Sequence, residues 1–209
     1  MPLPLIDPAL YEAQLAAKLA RFKEDFAACE LPEPAVHRSA PLHYRLRAEF
    51  RVWHHRNESG DEELAYAMFD PDDPKQPVLM TDFPVACETI CAVMPRLLEA
   101  VLASEILKQR FFAVDFLSTL SGDLLVTMIY HKKLDAEWEA AARGLAAHLG
   151  IRIIGRSRGQ KVVLENDWVE EAFELDGRTL RYRQLEGSFS QPNGGVNRQM
   201  LAWARAQSA

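Results

Sequence analysis

Hydrophobic residues change their period along this chain, and the changes mark its elements. Over residues 8–28, Leu15, Leu19, Phe22 and Phe26 recur at helical spacing, with Lys18, Arg21 and Lys23 between them. Asp7 followed by Pro8 is a helix start, an N-cap with proline in the first turn. An amphipathic N-terminal helix is therefore predicted, ended by Leu31-Pro32-Glu33-Pro34. From Tyr44 the period becomes two. Tyr44, Leu46, Ala48, Phe50 and Val52 alternate with Arg45, Arg47, Glu49 and Arg51, so a strand over 44–53 has one apolar and one charged face.

The next segments follow the same logic. Asn57–Glu62 reads as a polar turn and Glu63–Phe69 as the returning strand. Pro71, Pro74 and Pro77 predict a loop, with a short strand at Val78–Thr81. A helix is expected from Cys87 to Ser104 in spite of Pro95. Strands Phe111–Leu120 and Leu124–His131 are joined at Ser121-Gly122-Asp123, where glycine supplies a positive φ. Asp135 caps a helix over Ala136–Leu149 that ends at Gly150. A second hairpin, Ile151–Ile154 with Lys161–Leu164, turns around Ser157-Arg158-Gly159. The acidic stretch Glu165–Asp176 reads as a connection, Arg178–Leu185 as a strand and Asn197–Gln207 as a helix. This order predicts an α+β fold: a largely antiparallel sheet with helices packed on one face, preceded by the N-terminal amphipathic helix.

Composition narrows the function classes. With 209 residues and 48% hydrophobic content the chain is long enough for a proper core. No apolar run approaches the ~18 residues of a membrane span, and the first ten residues lack the basic and apolar regions of a secretory leader. Three cysteines, Cys29, Cys87 and Cys91, are too few and odd in number for a disulfide scaffold, which fits a reducing, cytoplasmic setting. Cys87 and Cys91 share a helix face without a zinc-ligand spacing nearby, so both read as inert thiols. The six histidines form no metal motif, and no phosphate-binding glycine loop or nucleophile elbow occurs.

The net charge of −6 favours no polyanion, but cations cluster locally. Arg45, Arg47 and Arg51 line one side of the first strand, where guanidinium groups could hold phosphates; a solvated face balanced by Glu49 is the plain alternative. Arg152, Arg156, Arg158 and Lys161 fall within ten residues free of acids, Lys132-Lys133 end a strand, and Arg178, Arg181 and Arg183 crowd another. The acids are expected elsewhere, in Glu165–Asp176. Such a distribution is compatible with an RNA-binding face. Of the adjacent pair Phe111 and Phe112, one must face away from the core in a strand. Strict alternation from Val114 and Phe116 would bury Phe112 and expose Phe111.

Four segments carry a resemblance: Tyr11-Glu12-Ala13-Gln14-Leu15, His43 to Trp53, Tyr130-His131-Lys132-Lys133-Leu134-Asp135, and Ser188-Phe189-Ser190-Gln191-Pro192-Asn193. Together they resemble bacterial tRNA (uracil-5-)-methyltransferases along nearly the whole chain. The resemblance implies methylation of C5 of uridine 54 in the T loop with S-adenosylmethionine, the tRNA T arm as partner, and possible action on other structured RNA with a T-like loop. It also implies a C-terminal Rossmann-like domain with a glycine-rich cofactor loop, an Asp-Pro-Pro motif, a cysteine nucleophile in a Ser-Cys-Asn context and a late glutamate base. None of these occurs in the 209 residues.

The chain is thus expected to be the N-terminal, RNA-recognition part of the enzyme, inactive alone and monomeric, without membrane contact. A stand-alone RNA-binding module derived from the enzyme is the alternative, and a protein-interaction domain with solubilising cations a third reading. Residues 1–38 are read as helix and linker, 39–186 as the RNA-binding domain, and 187–209 as the start of the connection to the catalytic domain. Phe189, Gln191 and Asn193 match the family's Phe-x-Gln-x-Asn motif at the domain seam, with Gln191 implied to reach the cofactor. Against RNA the expected set is Arg45, Arg47, Arg51, Phe112, Lys132, Arg156, Arg158, Phe189 and Asn193. Here the family pulls against strict alternation and favours Phe112 as the stacking ring.

Overall fold

The structure, a computed structural model, describes residues 7–70 and 73–208. The readings that touch residues 1–6, Pro71 and the final residue lie outside the described part, among them the absence of a secretory leader. A 3-10 turn, Pro8–Leu10, opens the chain under an Asp7 cap and runs into α1 (Tyr11–Asp25). Then come β1 (Arg47–Arg56), β2 (Glu62–Asp70), β3 (Asp73–Met80), α2 (Glu88–Leu102) and the short α3 (Glu105–Lys108). They are followed by β4 (Phe111–Ser118), β5 (Leu124–Tyr130), α4 (Ala136–Leu149), β6 (Arg152–Ser157) and β7 (Gln160–Val163). A ribbon of β8 (Trp168–Leu175) and β9 (Arg178–Leu185) precedes α5 (Gly194–Ser208).

Seven strands form one sheet in the order β3-β2-β1-β4-β5-β6-β7. All neighbours pair antiparallel except β5 and β6, which run parallel because α4 carries the chain back between them. The α+β expectation thus stands. One sheet face buries Ala48, Phe50, Val52, Val114, Phe116, Val126 and Met128 against Ile90, Met94 and Leu97 of α2 and Trp138 and Leu145 of α4. Phe50, Tyr66 and Phe116 make an aromatic cluster with ring centres 5.1–6.3 Å apart. The Tyr66 hydroxyl donates to the Met94 carbonyl at 2.7 Å, which ties α2 to the sheet. Asp135 caps α4, its carboxylate accepting the Trp138 N–H at 2.9 Å, and Gly150 ends it at φ 67.

The opposite face is only partly covered. Val169 of the β8–β9 ribbon packs on Leu117, Leu125 and Ile154 at one end, Glu186 lies over the buried Thr127 beside it, and the part around Glu49 and Arg51 stays open.

Three expectations are corrected. The first strand begins at Arg47, because Arg45 is held by bridges to Ala86 and Asn193 and lies outside the ladder. The proline-rich segment after residue 72 is not a loop but the edge strand β3, where a missing N–H can face solvent. The acidic connection contains β8: Val169, Glu171, Phe173 and Leu175 turn inward in alternation, and Glu170 and Glu171 sit opposite Arg183 and Tyr182 of β9. The acids are therefore not segregated from the cations. Arg181 lies 3.5 Å from Glu170, and the Arg183 guanidinium lies 3.9 Å from the Trp168 ring centre. The N-terminal amphipathic helix forms as expected, and α1 buries no residue.

Candidate nucleic-acid interface

The β1–β4 register sets the open face. Arg47 stands opposite Leu117, Glu49 opposite Asp115 and Arg51 opposite Ala113. Since Ala48, Phe50 and Val52 are buried on the helix side, Arg47, Glu49 and Arg51 point the other way. Arg47 is steered by two contacts: its Nε donates to Glu49 at 3.0 Å and a terminal nitrogen donates to the Ser188 carbonyl at 2.8 Å. Arg51 makes no ion pair among the described residues. Arg45 folds back instead, its Nε donating to the Arg47 carbonyl at 2.7 Å.

A bulge decides the phenylalanine question geometrically. Phe111 pairs with Tyr130 and Ala113 with Ile129, which leaves Phe112 without a partner across β5. One extra residue reverses the parity of everything before it. Phe111 therefore enters the core, with 1% exposure and its ring 5.2 Å from that of Tyr130, while Phe112 turns toward the open face. The alternation extrapolated from Val114 fails at this point for that reason. Arg110 leads into the bulge at φ 59, and its carbonyl accepts the His131 N–H at 3.0 Å.

His131 is thereby fixed beside Phe112. The two rings stack with centres 3.7 Å apart, and the Arg51 guanidinium lies 4.0 Å from the Phe112 centre. Two groups this close to one ring centre cannot share a face, so Arg51 and His131 cover opposite faces of Phe112. Sequence reasoning left His131 out of the site. Its signals were its place at the end of a strand beside two lysines and inside one of the four segments that carry the resemblance.

Beyond His131 the surface dips into a cleft of 750 Å³ lined by Tyr130, His131, Lys132, Lys133, Ser157, Arg158, Gly159 and Gln160. Arg158 and Lys133 are exposed there. Lys132 is half-buried: its amine donates to the Ile106 carbonyl at 2.7 Å, and burial lowers its pKa. Arg156 is gripped by Glu186 through two bonds of 2.7 and 2.6 Å, which hold the Glu186 carboxyl below its ordinary range. So the expected basic set divides. Arg51 and Arg158 present charge outward, Arg47 does so only in part while bonded to Glu49 and Ser188, and Lys132 and Arg156 are tied into the fold.

The motif segment lies at the other end of β1. Residues 187–190, Pro192 and Asn193, with Tyr11, Gln14 and Lys18 of α1 and Arg47 to Phe50, rim a groove of 1270 Å³. Phe189 is 84% exposed, and Gln191 is exposed beside it. Asn193 serves the fold. Its side-chain oxygen accepts the Val196 N–H at 3.0 Å, capping α5, and its amide donates to Ser39 Oγ at 2.6 Å. Among the described residues no group of three or more His, Cys, Asp or Glu could hold a metal ion. No helix among them is long and apolar enough to cross a membrane.

The fold and this surface define a class: a one-sided α+β layer whose open sheet face presents arginines and stacked rings. The chain belongs to the tRNA (Uracil-5-)-methyltransferase family, whose model matches residues 10–208. It is 64% identical over 208 residues to the tRNA/tmRNA (uracil-C(5))-methyltransferase of Azoarcus sp. strain BH72, covering 100% of this chain and 56% of that one. It is 61% identical over 209 residues to the protein of the same name from Dechloromonas aromatica, covering 100% and 56%, and 52% identical over 204 residues to that of Azotobacter vinelandii, covering 98% and 55%. The chain thus spans a little over half the length of these curated relatives.

Proposed function

We propose that this chain is the RNA-recognition region of a tRNA uracil-C5 methyltransferase and that its open sheet face binds the T arm. The observation that carries the reading is the track of Arg47, Arg51, Phe112, His131 and Arg158 along one face, in which arginines flank a stacked pair of rings. Guanidinium groups hold phosphates, and aromatic faces extend a base stack. C5 of uridine 54 is buried in a folded T loop, so the target base must leave the stack before methylation, and something must hold the opened loop. A surface of this kind can do so. The names of the relatives add tmRNA, which fits the idea of other structured RNA with a T-like loop.

The methyl donor would be S-adenosylmethionine. The residues present do not fit it by themselves: Gln191 offers one exposed amide and nothing encloses a cofactor around it. The groove beside α1 and the exposed Phe189, Met200, Leu201 and Trp203 suit a second role, as the seat of the part of the family chain that these residues do not include. On this reading residues 187–209 lead into the catalytic domain, the protein works in the cytoplasm as a monomer, and the chain alone does not turn over.

A titration with a T-arm hairpin at two salt concentrations tests the proposal. Binding that weakens steeply with salt, without methyl transfer, is the expected result. Salt-independent binding or none at all would leave the interaction-domain reading, and turnover by the 209-residue chain would refute the division of labour.

A further inference from the structure

Between the two outward arginines of β1 the open face carries an acid, and its surroundings set it apart from the other acids of the sheet. Asp115 lies mid-strand in β4, opposite Glu49 on β1 and Thr127 on β5. Two carboxylates directly across an antiparallel pair repel each other. Glu49 has its own partner in Arg47 at 3.0 Å. Asp115 is half-buried, and its side chain makes no hydrogen bond or ion pair among the described residues.

The charged groups that face Asp115 pair with one another, apart from Arg51, which lies two residues along β1 from Glu49, rests on the Phe112 ring and makes no ion pair among the described residues. From β1 come Arg47 and Glu49, which bind each other. From β6 comes Arg156, and from the segment after β9 comes Glu186, joined by two bonds, with Lys161 of β7 a further 3.3 Å from Glu186. On the β5 side Thr127 is neutral and its hydroxyl reaches toward Glu186 at 3.5 Å. Arg47 and Arg156 draw the carboxyl down, but neither forms an ion pair with it, and burial outweighs them. Burial first, and the Glu49 charge second, push its carboxyl up to about 6.

RNA that touches both Arg47 and Arg51 passes over this carboxyl, since the two arginines flank it along the strand. A polyanion laid there adds further repulsion and covers the group from water. Both effects favour the neutral acid, which has an O–H to donate where an anion has none.

We propose that Asp115 takes up a proton when RNA occupies this face and, as the neutral acid, donates a hydrogen bond to an oxygen of the RNA. The proposal rests on the RNA reading above. It makes the proton a co-ligand of RNA: affinity falls as pH rises above about 6, by up to tenfold per unit for one proton.

The test measures T-arm hairpin affinity from pH 5.5 to 8.5 at fixed salt for the unaltered chain, Asp115→Asn and His131→Gln. His131 is included because its ring stacks on Phe112 on the same face. The unaltered chain should lose affinity with a slope approaching one proton above pH 6. Asp115→Asn, which keeps a donor without the charge, should lose that slope and bind tighter at pH 8 by up to about a hundredfold, two pH units above the carboxyl's own value. His131→Gln should bind more weakly at every pH and keep the slope. A slope that survives in Asp115→Asn, or that vanishes in His131→Gln, overturns the inference and leaves RNA binding standing. No binding by any of the three at any pH overturns the RNA reading and this inference with it. Melting curves taken alongside show that each variant is folded.

Discussion

The guanidinium of Arg51 lies 4.0 Å from the centre of the Phe112 ring, although the two residues sit on different strands, 61 positions apart in sequence (112 − 51). The contact follows from the bulge, which puts Phe112 on the side where Arg51 projects beside Ala113. A ring that caps the guanidinium limits its side-chain freedom and leaves its N–H edges free for a phosphate.

Arg51→Ala should therefore weaken T-arm binding and lower the slope of log affinity against log salt by about one phosphate contact. The lost cation–π contact is worth about 0.5–1 kcal/mol at an exposed site. Thermal melting should fall by only a few degrees. A large drop in melting temperature would give Arg51 a structural role instead.

The adjacent phenylalanines should part company under truncation. Phe111→Ala removes a core ring with 1% exposure and should cost about 3–5 kcal/mol of stability. Phe112→Ala removes a bulged surface ring and should cost about 1 kcal/mol; both faces of the ring are already covered, so it should weaken RNA binding by releasing Arg51 and His131, by less than the about 1–3 kcal/mol of a direct base stack. Paired denaturant melts and titrations separate the two. Equal losses of stability in both variants would contradict the bulge.

How much of this was legible beforehand follows from local and non-local causes. The alternation from Ala48 to Val52, the Asp135 cap and the Gly150 stop are local signals, and each element formed where its pattern lay. The helix-covered antiparallel sheet follows from those elements. The acidic strand β8 was missed because its charges obscured Val169, Phe173 and Leu175, and their burial depends on β9 and the sheet face beneath. The same cause misjudged the cations. Arg152 and Arg156 look free in sequence, but Asp123 and Glu186 reach them from 29 and 30 residues away. Likewise the bulge at Phe112 depends on how β4 meets β5, so no parity count along β4 could find it.

Asp115 also predicts how folding stability responds to pH. Its folded-state pKa, about 6, is above the value of 3.8 for a free aspartate. The folded chain thus holds this proton more tightly than the unfolded one. This group destabilises the fold progressively as pH rises from about 4 to 6, and the cost is complete above that range. Allowing for solvent screening at a half-buried site, the cost is about 1–2 kcal/mol. Asp115→Asn should therefore raise stability at pH 7.5 by that amount and change it little near pH 4. Denaturant melts at the two pH values check this without RNA. A variant less stable than the parent at pH 7.5 would show that the carboxylate has a partner.

The tightest packing constraint on the sheet is at Gly155 in β6. A Cβ there would lie 2.2 Å from Trp138 Cη2, 2.7 Å from its Cζ3 and 2.6 Å from Leu134 Cδ1. Trp138 is fully buried in α4, so its ring has no room to retreat. Gly155→Ala must lift α4 or distort β6, and should cost about 1–3 kcal/mol or more. Two of the three offending atoms belong to the outer ring of the indole, which phenylalanine lacks. Trp138→Phe alone should also destabilise, by opening a cavity beside Tyr130, whose ring centre lies 5.6 Å from that of Trp138. Combined, the two changes fill that space with the new methyl group, so the double variant should be more stable than the sum of the single losses predicts. A double-mutant cycle of denaturant melts measures the coupling. Strict additivity would mean that Gly155 is required for its backbone alone, and that the close approach of α4 to β6 does not set its identity.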